Sequence, residues 1–138
     1  MTPVFQEIVD KGDGDCFRAA VASILDLTIE QVPHFIRYPN STWFHMYWHF
    51  LRFFNWEYAG NCSIDADRGI REEDSLNGYF IATVPSHTYP GSGVTHSVIM
   101  DLQGIIAHDP NPNKYFLGKT KEEAGVIYWH LFEKINKE

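Results

Sequence analysis

Cys16, His96 and Asp109 are the residues whose types and order describe a nucleophilic site. A thiol attacks a carbonyl as its thiolate. An imidazole can take the thiol proton and later protonate a leaving group. A carboxylate can hold that imidazole in one tautomer and stabilise its charged form. Each residue also has a plainer use. Cys16 could be a small buried side chain and His96 a core histidine. Asp109 opens Asp109-Pro110-Asn111-Pro112, a turn that Asp suits. Taken together, in the order Cys…His…Asp, the three outweigh those separate uses.

The elements around them supply the placement. Asp15 is a suitable N-cap, and a helix is expected over 16–27, with Phe17, Val21, Ile24 and Leu25 as an apolar stripe. Ala19, Ala20, Ala22 and Ser23 are small enough for close packing on a sheet. Cys16 then opens the helix, where partial positive charge and unpaired amides favour a thiolate and can hold an oxyanion. Thr28 and Gln31 form a capping-box pair for a short second segment that Pro33 limits. An aromatic helix is expected from Trp43 to about Phe54, and 58–77 reads as loops around one strand or short helix. Strands follow at 79–84, 94–102, 105–108 and 126–132, with a Gln103-Gly104 hairpin turn. His96 and Asp109 fall at the open end of that hairpin, opposed or diagonal. Helices first and an antiparallel meander after them is an α+β order. One domain over 1–138 is expected, long enough for its own core.

Four segments carry a family resemblance: Gly12-Asp13-Gly14-Asp15-Cys16-Phe17-Arg18-Ala19-Ala20-Val21-Ala22-Ser23-Ile24-Leu25, Val32-Pro33-His34-Phe35, Thr95-His96-Ser97-Val98-Ile99, and His108-Asp109-Pro110-Asn111-Pro112. They resemble small papain-like cysteine peptidase superfamily proteins of phages and bacteria. More distantly, they are similar to the peptidase domains that remove double-glycine leaders. The resemblance spans most of the chain and thins between about 37 and 77. It implies a papain-like fold, with N-terminal helices packed on a C-terminal antiparallel sheet, and a triad of Cys16, His96 and Asp109.

The pattern departs from that family at the oxyanion hole. A Gln a few residues before the nucleophile is usual; six positions before Cys16 stands Asp10, and the nearest Gln is Gln6. Asp13 and Asp15 flank the thiol, where carboxylates donate no hydrogen bond and raise a thiol pKa. Either Asp15 turns into the helix cap or another group completes the hole, with Gln6 the side-chain candidate.

Bulk properties narrow the partners. The formal net charge of −7 argues against non-specific nucleic-acid binding and anionic membranes. No secretory signal or run of roughly 20 apolar residues is visible, so a reducing cytoplasm and two free thiols, Cys16 and Cys62, are expected over a disulfide. The aromatics between Trp43 and Tyr58, Trp48 and Trp56 among them, read as core before groove wall. His45 and His49 share a helix face with zinc spacing, but Met46 stands where a metalloprotease carries Glu, so no metal or cofactor is expected. Lining a substrate groove is the better use for His45 and His49. His34 and His87 read as surface or loop residues. His108 should face away from Asp109, and Asn111 and Asn113 are fallback groups for holding the base.

The expected function is a cysteine hydrolase or acyl transferase acting on a peptide, isopeptide or side-chain amide. The alternative is an inactive binding module of the same fold, such as a phage-encoded antagonist of a host protein. The partner is a peptide or protein in either case, and the sequence leaves the oligomeric state open.

Overall fold

The strands carry the apolar alternation, and their pairing decides where the other elements sit. The computed structural model describes residues 1–10, 14–39 and 41–135. Strands β1 (Trp56–Ser63), β2 (Tyr79–Pro85), β3 (Thr95–Asp101), β4 (Ile106–His108) and β5 (Tyr128–Lys134) form one sheet in the order β1-β5-β2-β3-β4. Every neighbouring pair is antiparallel. Helices α1 (Cys16–Ile24), α2 (Thr42–Phe53) and α3 (Lys121–Ala124) accompany it, with 3-10 turns at Ile29–Gln31, Phe35–Arg37 and Glu72–Asp74. The class is α+β, with α1 packed on β2 and β3 and α2 on β1.

The two faces of the sheet carry two cores. Ile81, Ile99 and Phe132 meet Ala20, Val21 and Ile24 of α1 and Tyr47 and Leu51 of α2. Phe80, Ala82, Val84, Val98, Met100, Trp129 and Leu131 point the other way, onto Ile106, Phe116 and Val126. Period-two alternation sorts them. Burying side chains the size of Val21 or Ile24 stabilises by roughly 1.5–3 kcal/mol each.

Several expectations are corrected. Helix α1 ends at Ile24, not 27, because Asp26 takes a left-handed φ of 58°. The Leu27 amide then bonds the Ala22 carbonyl at 2.8 Å and the Asp26 amide the Ser23 carbonyl, a Schellman closure that an Asp can adopt. Asp15 sits at the N-cap position, but its side chain makes no capping bond. The Thr28–Gln31 capping box does form. Residues 56–63, expected mostly as loop, form the edge strand β1 with a bulge between Tyr58 and Gly60. Polar residues and a glycine hid it. Only β2 to β4 is a meander; β5 returns to the far edge of β2 and seats itself against β1. Thr120 and Glu123 build a capping box that starts the unanticipated α3.

The β3–β4 hairpin also departs from expectation. The Asp101 amide bonds the Ile105 carbonyl at 2.9 Å around a three-residue loop, with Gly104 at φ 75°. That loop pairs Met100 with Ile106, one residue off the register of a two-residue turn. A register shift at Ala107 then restores Ile99 opposite His108. Asp109 therefore lands beside the end of β3 where the simpler turn would have put it. Among the described residues, no helix is long and apolar enough to cross a membrane.

His130 on β5 is buried beneath α2. Its Nδ1 lies 2.8 Å from the Tyr47 hydroxyl, and Phe17, Tyr58 and Phe132 surround the ring. Burial pushes its pKa from 6.5 down to about 4. Between those values the unfolded chain holds a proton that the folded ring refuses, so stability from this group falls as pH drops through that window. The full effect is about 3 kcal/mol. Urea unfolding at about pH 7 and about pH 5 should show a larger loss for the wild type than for His130→Asn, and equal losses would refute the assignment.

Candidate active site

Cys16 is the first residue of α1. The Ala19 amide closes the first turn onto the Asp15 carbonyl at 2.9 Å, which leaves the amides of Cys16, Phe17 and Arg18 ahead of the first intrahelical bond. His96 lies near the start of β3, paired with Val84 of β2. Since α1 packs on β3, the head of the helix meets the head of the strand, and the Cys16 thiol and the His96 ring line one cleft.

The third member is placed by the hairpin. Asp109 is 1% exposed, and its Oδ1 is 2.6 Å from His96 Nε2. The carboxylate is otherwise saturated: Oδ1 accepts the Asn111 amide at 3.0 Å and Oδ2 the Phe116 amide at 3.0 Å. Asp109 thus starts its turn and holds the imidazole with one side chain. With Nε2 taken, Nδ1 is the nitrogen left for the thiol. Phe116 lies under the ring at a centroid distance of 6.0 Å. His108, on the opposite face, bonds the Val4 carbonyl at 2.7 Å.

The electrostatics run in one direction. Burial raises the Cys16 thiol pKa, but the hydrogen bond and charge of His96, then bonds from Ser97, bring it below its ordinary value. Burial lowers the His96 pKa, but Asp109 and Cys16 raise it to about 9. Burial raises the Asp109 pKa; His96 and the two amides reverse that and hold the carboxyl low. All three shifts favour a proton on the imidazole and negative charge on sulfur. The expected rise of the thiol pKa from neighbouring carboxylates is not what the site shows. Asp15 is fully buried, and its Oδ1 accepts the amides of Glu7 and Ile8 at 2.9 Å each. Asp13 lies outside the described residues.

Gln6 comes to the same cleft of about 180 Å³ as Cys16, His96 and Asn111. Its backbone amide bonds the Pro110 carbonyl at 2.9 Å, and its Nε2 donates to the Ile8 carbonyl at 2.8 Å. One N–H of that side-chain amide remains beyond the Ile8 bond. Asn111 borders the cleft and reaches Thr88 Oγ1 at 3.4 Å; the Asn113 side chain accepts the Tyr115 amide. His45 and His49 are exposed on α2 and do not border this cleft; His49 lines a separate apolar groove with Met46 and Phe53. His87 is exposed in its loop, whereas His34 is buried. Cys62 is a buried free thiol in the second core, with its pKa raised by burial. Trp43 and Trp56 pack against the first core, while Trp48 carries Arg52 over its ring. Among the described residues, no group of three or more His, Cys, Asp or Glu side chains could hold a metal ion.

Ser97 is the residue that the sequence reasoning missed. It lines the cleft with Cys16, and its backbone and side chain both act to lower the thiol pKa. Alternation carried a signal: Ser97 shares the parity of Ile99, whose side chain joins the α1 core. Comparison with protein-family models, curated proteins and solved structures returns no match.

Ser97→Ala should move the pH midpoint of Cys16 alkylation by iodoacetamide upward, and Asp109→Ala should do the same through His96. Site-resolved mass spectrometry reads both. Unchanged midpoints in the two variants would remove these residues from the control of the thiol.

Proposed function

We propose that the protein is a papain-like cysteine hydrolase or acyl transferase acting on a peptide, isopeptide or side-chain amide. One observation carries the proposal. Asp109 occupies Nε2 of His96, which leaves Nδ1 for a thiol that lines the same cleft at a helix N-terminus and whose pKa is lowered. A structural histidine has no need of that arrangement.

The chemistry follows from those groups. The Cys16 thiolate forms a bond to the carbonyl carbon, and the carbonyl π pair moves to oxygen. The oxyanion collapses and expels the amine, which takes the proton from His96. Water or an amine, deprotonated by the now neutral imidazole, then attacks the thioester and frees Cys16. Asp109 keeps the ring oriented and stabilises its cationic form throughout.

The oxyanion is held by the Cys16 amide and the Gln6 side-chain amide. The spacing that departs from the family has a physical account. The Gly14 amide bonds the Asp10 carbonyl at 3.1 Å, which fixes those two residues against each other. With Asp10 and Gly14 joined, Gln6 and Cys16 line one cleft although ten positions separate them. Gly14 is required there, because a Cβ would lie 2.9 Å from the Asp10 oxygen.

An inactive binding module is the rival, and it drew on the carboxylates around Cys16. Asp15 is committed to the Glu7 and Ile8 amides, which removes one of them from its support.

An activated ester tests the proposal without a known substrate. Cys16→Ala should abolish the acylation burst with para-nitrophenyl acetate, and Cys62→Ala should preserve it. Gln6→Ala should slow acylation by about 10²-fold while leaving iodoacetamide alkylation of Cys16 unchanged, since alkylation develops no oxyanion. No burst in the wild type would decide for the binding module, and a full burst in Cys16→Ala would refute Cys16 as the nucleophile.

A further inference from the structure

The geometry points to a substrate that carries a long cationic side chain, of the lysine or arginine type, beside the reacting carbonyl. This rests on the proposed thiol chemistry and adds the identity of what the cleft selects. Val9, Asp10, Phe17 and Ile36 border the same cleft as Cys16. Val9 and Ile36 are 48% and 44% exposed, two large aliphatic side chains left in water next to a nucleophile. Isolated exposed aliphatics are ordinary on a surface; two of them flanking a carboxylate at a reactive cleft form a wall.

Asp10 is the charged end of that wall. It is the one carboxylate on the cleft lining, and no Lys or Arg lines the cleft among the described residues. Its carbonyl is held by the Gly14 amide, so the backbone that presents the side chain is fixed. The carboxylate itself makes no hydrogen bond or ion pair with a described residue.

A lysine or arginine side chain matches this arrangement in two ways. Its methylene stem covers apolar surface while its charged head stays near water, as Val9, Phe17 and Ile36 beside an exposed Asp10 would require. The formal net charge of −7 also draws cations toward the molecule. An acidic side chain at the same place would face Asp10, while the His96 cation on the cleft is already paired with Asp109.

Alkylation of Cys16 reads this preference directly. Two iodoacetamides serve as probes, one with a butyl tail and one with a butyl-trimethylammonium tail. At low salt the cationic probe should label Cys16 about fivefold faster than the butyl probe, the effect of one exposed ion pair. Asp10→Asn should bring that ratio to about one, and Ile36→Ser should slow both tailed probes relative to plain iodoacetamide. Asp65→Asn removes the same charge from an exposed turn after β1 and should leave the ratio unchanged. Equal rates for the two probes, or equal effects of Asp10→Asn and Asp65→Asn, would overturn the inference while the thiol chemistry stands. Absence of selective Cys16 labelling by every probe would instead overturn the hydrolase proposal, and this inference with it.

Discussion

Helix α1 lies on β3 with small residues between them, and the cleft exists because of that contact. Ala19, Ala20 and Ala22 are fully buried, which lets the helix approach the sheet closely. The helix has almost no solvent face: Val21, Ser23 and Ile24 are buried as well. A larger side chain at the alanines would lift the helix away from the strand. The consequence is directional. The N-terminus of α1, with its unpaired amides, ends beside the first residues of β3, and there the thiol meets His96 and Ser97.

Residues 1–10 form no helix or strand, yet several of them are tied to the rest of the fold. The Val4 amide bonds Ser23 Oγ of α1 at 2.9 Å, and the Val4 carbonyl accepts from His108 of β4. Gln6 is tied to Pro110, and Glu7 and Ile8 to Asp15. Backbone groups without a ladder must find other partners, and here helix, sheet and turn each supply some. Gln6 is therefore positioned by both layers of the fold at once. Burying Asp15 carries a desolvation cost that two amide donors offset; its Oδ2 remains without a partner, as does Gln6 Oε1.

Two histidines, His96 largely enclosed and His130 buried, show that burial alone does not set a pKa. The side chain of His96 is 11% exposed and residue His130 is 7% exposed, yet one is pushed up to about 9 and the other down to about 4. Burial disfavours the charged ring in both. His96 has a saturated carboxylate on one nitrogen and a thiol beside the ring, so its cation is compensated. His130 has a tyrosine hydroxyl and aromatic faces. One fold thus keeps a charged imidazole at its cleft and a neutral one in its core.

Much of this was legible in the chain itself. Helix and strand periods placed α1, α2 and four of the five strands, because burial on one face imposes a 3.6 or 2 repeat. Cys16 opening a helix, and His96 and Asp109 at one end of a hairpin, followed from that placement. The edge strand β1 was obscure, since an edge half in water needs no apolar alternation. The hairpin was reached through a turn one residue too short, and only the register shift at Ala107, set by pairing across β3 and β4, put Asp109 where that count had it. Gln6 and Ser97 depended on contacts between segments distant in sequence: the bond of Gln6 to Pro110, and the packing of α1 on β3. Residue types and local periods are properties of the chain alone, but the direction of a side chain across a cleft is decided only when two layers press together.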